Sequence, residues 1–238
     1  MERLSTGIDE LDGKISGGFP KGKGIIITGS SGTGKTIFGL QFLNKACYDG
    51  KKCTIVATEE TPEDILTHAD VLNLSLRDFY NNRYLDIVDT YRKRAFETEE
   101  SDIRGAGLTI ERIDLEEIPN LISNDSEVVV IDNIGVYSIG LSTYEFRNNF
   151  DALTYELSEN GYSALYVMDE TAHNLTHNLA EYSTFGSIKL MIKENPYTEK
   201  MERYMYIPKM RDTEISLELM LYDITSGGIT LLESNVDL

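Results

Sequence analysis

The sequence predicts an α/β fold: a mostly parallel sheet flanked by helices, continued by a C-terminal antiparallel extension. Three observations carry this. Apolar runs such as Ile25-Ile26-Ile27 and Val128-Val129-Val130-Ile131 are unbroken rather than alternating, as strands covered on both faces require. Stretches with helical periodicity separate them. From Ser187 onward, strand-like segments follow one another with no helix between, a pattern that suits antiparallel pairing. At 238 residues the chain is expected to form one domain spanning 1–238.

Taken in order, residues 1–23 read as a loop leading into the core, punctuated by Gly17-Gly18 and Pro20-Lys21-Gly22. Gly24-Ile25-Ile26-Ile27-Thr28 is a buried strand. It feeds Gly29-Ser30-Ser31-Gly32-Thr33-Gly34-Lys35-Thr36, which fits the phosphate-binding pattern G-x-x-x-x-G-K-[ST] in its strand-to-helix setting. Glycine at 29, 32 and 34 lets the backbone turn its N–H groups inward, and the following helix adds its positive dipole end. Ser31, Gly32, Thr33, Gly34, Lys35, Thr36 and Ile37 are therefore the expected nucleotide contacts. Lys35 is expected at the β- and γ-phosphates, and the Thr36 hydroxyl is expected on Mg2+.

A helix to about Cys47 and a turn at Asp49-Gly50-Lys51 lead to a strand, Cys53–Thr58, which ends in Glu59-Glu60. Thr61-Pro62-Glu63-Asp64 is a helix start, with a capping hydroxyl, proline in the first turn and early acids; Ile65, Leu66, Ala69 and Leu72 continue it at helical spacing. Residues 75–80 form a short helix and 84–88 a strand. Residues 89–108, with Arg92-Lys93-Arg94 and Glu97-Thr98-Glu99-Glu100, read as a charged loop. Asp114 to Ile122 is a short helix limited by Pro119.

Glu127–Asp132 is a strand that ends in a carboxylate, at the sheet edge where ligands of doubly wound folds sit. Asp132 is the expected second magnesium ligand. Ser142-Thr143 caps a helix whose Phe146, Phe150, Leu153 and Leu157 share a face, ending before Gly161. Ser163–Met168 is a strand, and 171–185 reads as a loop. Ser187–Lys193, Met201–Lys209, Ser216–Leu221 and Ile229–Leu232 are the closing strands.

The composition narrows the function classes. With 22 Lys and Arg against 40 Asp and Glu, the formal charge is −18, which disfavours nucleic acid and anionic membranes. No run reaches the ~20 apolar residues that span a bilayer, so no membrane insertion is expected. The two cysteines, Cys47 and Cys53, make a disulfide framework a poor reading; both read as small buried hydrophobes in a cytoplasmic protein. His173 and His177 have the spacing of a zinc helix, but Asn174 stands where a base would be needed and no third ligand is evident. No Asn-Lys-x-Asp guanine-reading run occurs, so ATP is preferred to GTP.

A phosphate loop, Glu59-Glu60 at one strand end and Asp132 at another resemble the RecA-like ATPases, and within them the KaiC-like ATPases. The likeness extends through Leu4-Ser5-Thr6-Gly7-Ile8, Gly17-Gly18-Phe19-Pro20-Lys21-Gly22, Gln41-Phe42-Leu43, Glu59-Glu60-Thr61-Pro62-Glu63-Asp64-Ile65, Val130-Ile131-Asp132 and Lys209-Met210-Arg211. It implies a RecA-like P-loop NTPase core and Mg2+-dependent ATP hydrolysis, with Glu59 and Glu60 polarising the attacking water. It also implies that Lys209 and Arg211 act in trans on a neighbour's γ-phosphate. The active form is then a ring of identical subunits, with six expected, serving as a switch or timer and docking a signalling protein.

Two departures stand out. Relatives often read Lys-x-Arg-Gly-Thr/Ser-x-His, whereas Asp212-Thr213-Glu214-Ile215 lacks the Gly and the His. Phe185 stands where Asp is common, and the preceding Ser183-Thr184 invites comparison with a phosphorylated pair, though strand-entry residues fit equally well. The altered tail suits an alternative, a nucleotide-gated scaffold with little hydrolysis. A RadA-like DNA-dependent ATPase is disfavoured, because neither 133–146 nor 171–185 contains a Lys or Arg.

Overall fold

The structure is a computed structural model, and it describes residues 1–91, 114–169 and 174–232. Residues 92–113, His173 and the rest of 170–173 lie outside the described residues; they hold most of the expected charged loop and one of the two histidines at zinc spacing. In chain order the strands are β1 (Arg3–Leu4), β2 (Phe19–Pro20), β3 (Gly24–Gly29), β4 (Cys53–Ala57), β5 (Leu85–Asp89) and β6 (Val128–Asp132). They continue with β7 (Ser163–Asp169), β8 (Gly186–Glu194), β9 (Met201–Met210), β10 (Met220–Thr225) and β11 (Gly228–Leu231). The α-helices are α1 (Asp9–Lys14), α2 (Lys35–Tyr48), α3 (Pro62–Val71), α4 (Leu76–Asn81), α5 (Ile118–Leu121), α6 (Thr143–Glu159) and α7 (Asn174–Ser183).

Among the described residues one nine-stranded sheet runs β11-β10-β9-β8-β3-β7-β6-β4-β5. From β8 to β5 every pairing is parallel; β9, β10 and β11 are antiparallel. This is the α/β architecture with a C-terminal antiparallel extension that the sequence predicts.

The unbroken apolar runs sort by parity. Ile25, Ile27, Val128, Val130 and Leu165 face a core closed by α2 and α3. Ile26, Val129, Ile131, Tyr166 and Met168 face a second core under α6. Because successive side chains alternate faces, a strand sandwiched between two helical layers must be apolar at every position. On α6 the stripe Phe146, Phe150, Leu153 and Leu157 is fully buried, with Phe150 edge-on to Tyr166 at 5.0 Å between ring centres. Ser142 caps α6 reciprocally with Glu145, and Thr61 caps α3 with Asp64.

The structure corrects three expectations. Residues 1–23 are not a plain loop: β1 and β2 pair, and α1, which lies between them in sequence, buries Leu11. The local organiser is the Asp12 carboxylate, which accepts from Ser5 Oγ at 2.5 Å and from Thr6 N and Oγ1 at 2.9 and 2.7 Å. A six-residue helix held by side-chain bonds leaves little periodic signal. Residues 174–183 of the expected loop are helical; α7 buries Thr176 and Ala180, too small and polar to register as an apolar stripe. The strand expected at Ser216–Leu221 lies at Met220–Thr225 instead. Thr225 pairs with Gly228 across Ser226-Gly227, a two-residue hairpin turn.

Candidate nucleotide-binding cleft

The loop after β3 opens at the carboxyl edge of the sheet. Gly34 caps α2 at φ +92, and a Cβ there would stand 2.8 Å from Ile224 Cδ1. Gly29 packs so closely on β8 that a Cβ would lie 2.5 Å from the Leu190 carbonyl oxygen. Space therefore requires glycine at 29, where the contact is with backbone, and the left-handed backbone favours it at 34. The loop is braced from inside by Thr33 Oγ1 donating to Ser30 O at 2.8 Å, and from the extension by Tyr222 Oη donating to Thr33 O at 2.5 Å. Lys35 curls over the loop and donates to Ser30 O at 3.0 Å.

A cleft of 690 Å3 lies over this loop, a volume suited to a drug-sized or nucleotide-sized ligand. It is lined by Ser31, Gly32, Gly34, Lys35, Thr36 and Ile37, by Glu59 after β4, and by Asp132-Asn133 and Asp169 at the ends of β6 and β7. Arg203 and Ile224 of the extension form the remaining wall. The sheet order places these groups together: β4, β6, β7 and β3 are near neighbours, and parallel strands all deliver their carboxyl ends to one rim. Thr33 is buried beneath the loop and does not line the cleft.

At the floor, the Thr36 hydroxyl hydrogen-bonds the Asp132 carboxyl. Burial raises the Asp132 pKa to about 6; the bond to Thr36 and the Lys35 charge oppose this, and Glu59 and Glu60 reinforce it. These neighbouring oxygens, set into the floor of the cleft, fit a small hard cation. Magnesium uses one or two protein oxygens and completes its shell with phosphates and water. Among the described residues no set of three His, Cys, Asp or Glu forms a metal cage.

The sign of the shift makes a prediction. A raised carboxyl pKa means that the folded chain holds a proton the unfolded chain has already lost. Stability therefore falls as pH rises from about 4 to about 6, and the loss persists above that. Asp132→Asn should accordingly raise the melting temperature of the nucleotide-free protein at pH 7.5, by an amount equivalent to roughly 1–3 kcal/mol. The gain should vanish near pH 4. Melting curves at the two pH values check this.

The two glutamates diverge. Glu59 accepts from Asn133 Nδ2 at 3.2 Å within the cleft, whereas Glu60 Oε2 lies 3.2 Å from His68 Nδ1 on α3. Both border a small pocket beside Thr36 and Asp132, but Glu60 does not line the main cleft.

Lys209 and Arg211 lie elsewhere. Lys209 pairs with Ser187, which pairs with Ile26, so the register sets it at the amino-terminal rim, away from the loop at Gly29. There Lys209 Nζ donates to the carbonyls of Glu181, Tyr182 and Thr184, capping α7, and Arg211 donates to Tyr182 O at 3.4 Å. Desolvation, then the Arg211 charge, lowers the Lys209 pKa to about 8. Asp212, the first departure from the resembled motif, has φ +53, a left-handed conformation that Asp tolerates better than most residues. Thr184 is buried and its hydroxyl donates to Glu181 O.

Sequence reasoning missed Asn133, Asp169, Arg203 and Ile224 as cleft residues. Asn133 and Asp169 could have been found, since each sits at a strand's carboxyl end. Arg203, which donates to Gly32 O at 3.3 Å from mid-strand β9, carries no local signal.

Fold and cleft together define a RecA-like P-loop NTPase core. The chain belongs to the KaiC ATPase family, whose sequence model matches residues 4–236. It is 25% identical over 234 residues to the circadian clock oscillator protein KaiC of Parathermosynechococcus lividus, covering 98% of this chain and 41% of that protein. It is 28% identical to a UPF0273 protein of Methanopyrus kandleri, covering 96% of this chain and 91% of that one. The chain thus spans about two-fifths of the clock protein and nearly all of the UPF0273 protein. A solved KaiC-like protein from Pyrococcus horikoshii has the same fold, with a TM-score of 0.76 at 24% identity over 98% of this chain and 99% of that one. Among the described residues no helix is long and apolar enough to cross a membrane.

Proposed function

We propose that this chain binds Mg·ATP and hydrolyses it as one domain spanning 1–238, assembled into a cytoplasmic ring that serves as a switch or timer. The observation that carries this is the convergence of Lys35, Thr36, Asp132 and Glu59 on one cleft at the sheet's rim. Lys35 turns from Ser30 O to the β- and γ-phosphates, and the N–H groups of the loop and of the first turn of α2 hold phosphate oxygens. Thr36 and Asp132 hold the magnesium, which when bound supplies positive charge against the phosphates. Glu59 accepts a proton from, or orients, the water that attacks the γ-phosphorus.

The trans role for Lys209 and Arg211 is supported by the register, which keeps both from their own phosphate loop. A γ-phosphate at that rim would have to come from a neighbouring chain, as in a head-to-tail ring. A scaffold with little turnover is the second reading. It is favoured by Lys209 being engaged on its own α7, a contact that must be given up before it reaches a neighbour.

The test is phosphate release with Mg·ATP, with sizing by light scattering in the presence and absence of nucleotide. Hydrolysis that requires magnesium and disappears in Lys35→Ala, together with ATP-dependent assembly, supports the proposal. Tight ATP binding without phosphate release selects the scaffold, and no ATP binding removes both.

A further inference from the structure

Asn133 is 2% exposed, and its polar groups are engaged on all sides. Its backbone N–H donates to Thr58 Oγ1 at 2.6 Å, and that hydroxyl donates back to Asn133 O at 3.1 Å. Thr58 N in turn donates to Asp132 O at 2.9 Å. The ends of β4 and β6 are thus stapled one residue before Glu59 and one residue after Asp132. The side chain has a single sensible orientation: Gly135 N donates to Oδ1 at 2.7 Å, so the NH2 end must face the other way, and there it donates to Glu59 Oε2 at 3.2 Å. Glu59 is otherwise an exposed side chain on a loop, with several rotamers open to it.

We propose that Asn133 is a positioning residue for hydrolysis: its amide clamps the Glu59 carboxylate over the cleft floor and so separates the roles of the glutamate pair. This rests on the hydrolytic reading above. The anchored amide selects one Glu59 rotamer, with one oxygen bonded and the other left for water. Glu60 is drawn to His68 instead. Misplacing a catalytic group by about 1 Å can cost on the order of a hundredfold in rate, so one buried amide is enough to matter.

The test uses the full chain and exploits the asymmetry of the amide. Asn133→Asp keeps the oxygen that receives Gly135 N but replaces the donor facing Glu59 with a repelling oxygen; Asn133→Ala removes both. If the clamp positions Glu59, kcat falls about tenfold or more in both variants while KM for ATP stays within about threefold. If Asn133 merely supports the turn at Gly135, Asn133→Asp keeps wild-type kcat, and the proposal is overturned.

A second readout does not depend on activity. In Glu59→Gln/Asn133→Asp the donor and acceptor are exchanged, so the bond can re-form in reverse. The double variant should melt above Asn133→Asp by more than Glu59→Gln melts above wild type. Strictly additive melting temperatures overturn the clamp, even if Asn133→Asp folds too poorly to assay. Phosphate release abolished by Glu59→Gln but untouched by Asn133→Asp removes the clamp alone. Equal release by wild type and Glu59→Gln, or none by wild type, removes the hydrolytic reading and the clamp together.

Discussion

Glu59→Gln should reduce ATP turnover about 10²- to 10³-fold, the usual contribution of a positioned general base, while ATP affinity changes by less than about threefold. Glu60→Gln should cost less than about tenfold. The two residues are adjacent and chemically identical, so composition cannot rank them; their partners can. Glu59 shares the main cleft with Lys35, Thr36 and Asp132, and Asn133 directs it there. Glu60 is paired with His68 in the last turn of α3, outside the main cleft. The effect should fall on kcat because in the proposed mechanism the carboxylate acts on water rather than on the nucleotide. Single-turnover phosphate release and fluorescent-nucleotide titration measure the two quantities separately. Equal losses in the two variants would show that the dyad acts as a unit, and the division of roles would have to be abandoned.

Mixing two inactive variants should restore activity. Lys209→Ala alone is expected to lose on the order of 10³-fold in turnover, as does removal of a trans-acting cation from a phosphoryl-transfer site. Glu59→Gln is inactive for the opposite reason, a damaged cleft with its Lys209 intact. In a ring with head-to-tail interfaces and random mixing at equal concentrations, about one quarter of interfaces join an intact cleft to an intact Lys209. Phosphate release should therefore return to about a quarter of the wild-type level per chain, after nucleotide-dependent reassembly. Lys209 also caps α7 through three carbonyls, so its loss weakens that helix end. Arg211→Ala provides the same complementation with less local damage, because Arg211 makes one longer bond to Tyr182 O. Mixtures that co-assemble and stay inactive would mean that each cleft is complete within its own chain.

The family likeness changes what these experiments decide. Membership in the KaiC ATPase family makes nucleotide binding the expectation, and the cleft supplies the groups for it. Hydrolysis, ring formation and a timing role depend instead on features that vary within such folds: the glutamate pair, the cations at the opposite rim and the tail that follows them. Asp212 shows how a departure can be partly absorbed. It holds the left-handed backbone that glycine would supply, so the chain can still turn after Arg211. The absent histidine has no such substitute: Ile215 stands in its place, half-buried against the core on a segment without regular structure.

By itself the sequence determined the parallel core, the phosphate loop and the carboxylate-ended strand β6. Each is written in contiguous residues: unbroken apolar runs, a glycine spacing, a capping hydroxyl before an apolar stripe. It also determined that Asp132 ends a strand and that Glu59 and Glu60 follow one closely. Which of those strands are neighbours, and hence which carboxylates meet, was decided only by the sheet order β3-β7-β6-β4. Arg203 and Ile224 reach the cleft because antiparallel β9 and β10 return past the loop, a register fixed by pairings far apart in sequence. The helix at 174–183 packs against α6, and the residues it buries, Thr176 and Ala180, are not an apolar stripe that the chain announces locally. Lys209 was placed at the far rim by the same long-range register. Short-range chemistry can be read along a chain because its partners are a few residues away; a shared cleft cannot, because its walls are joined only by folding.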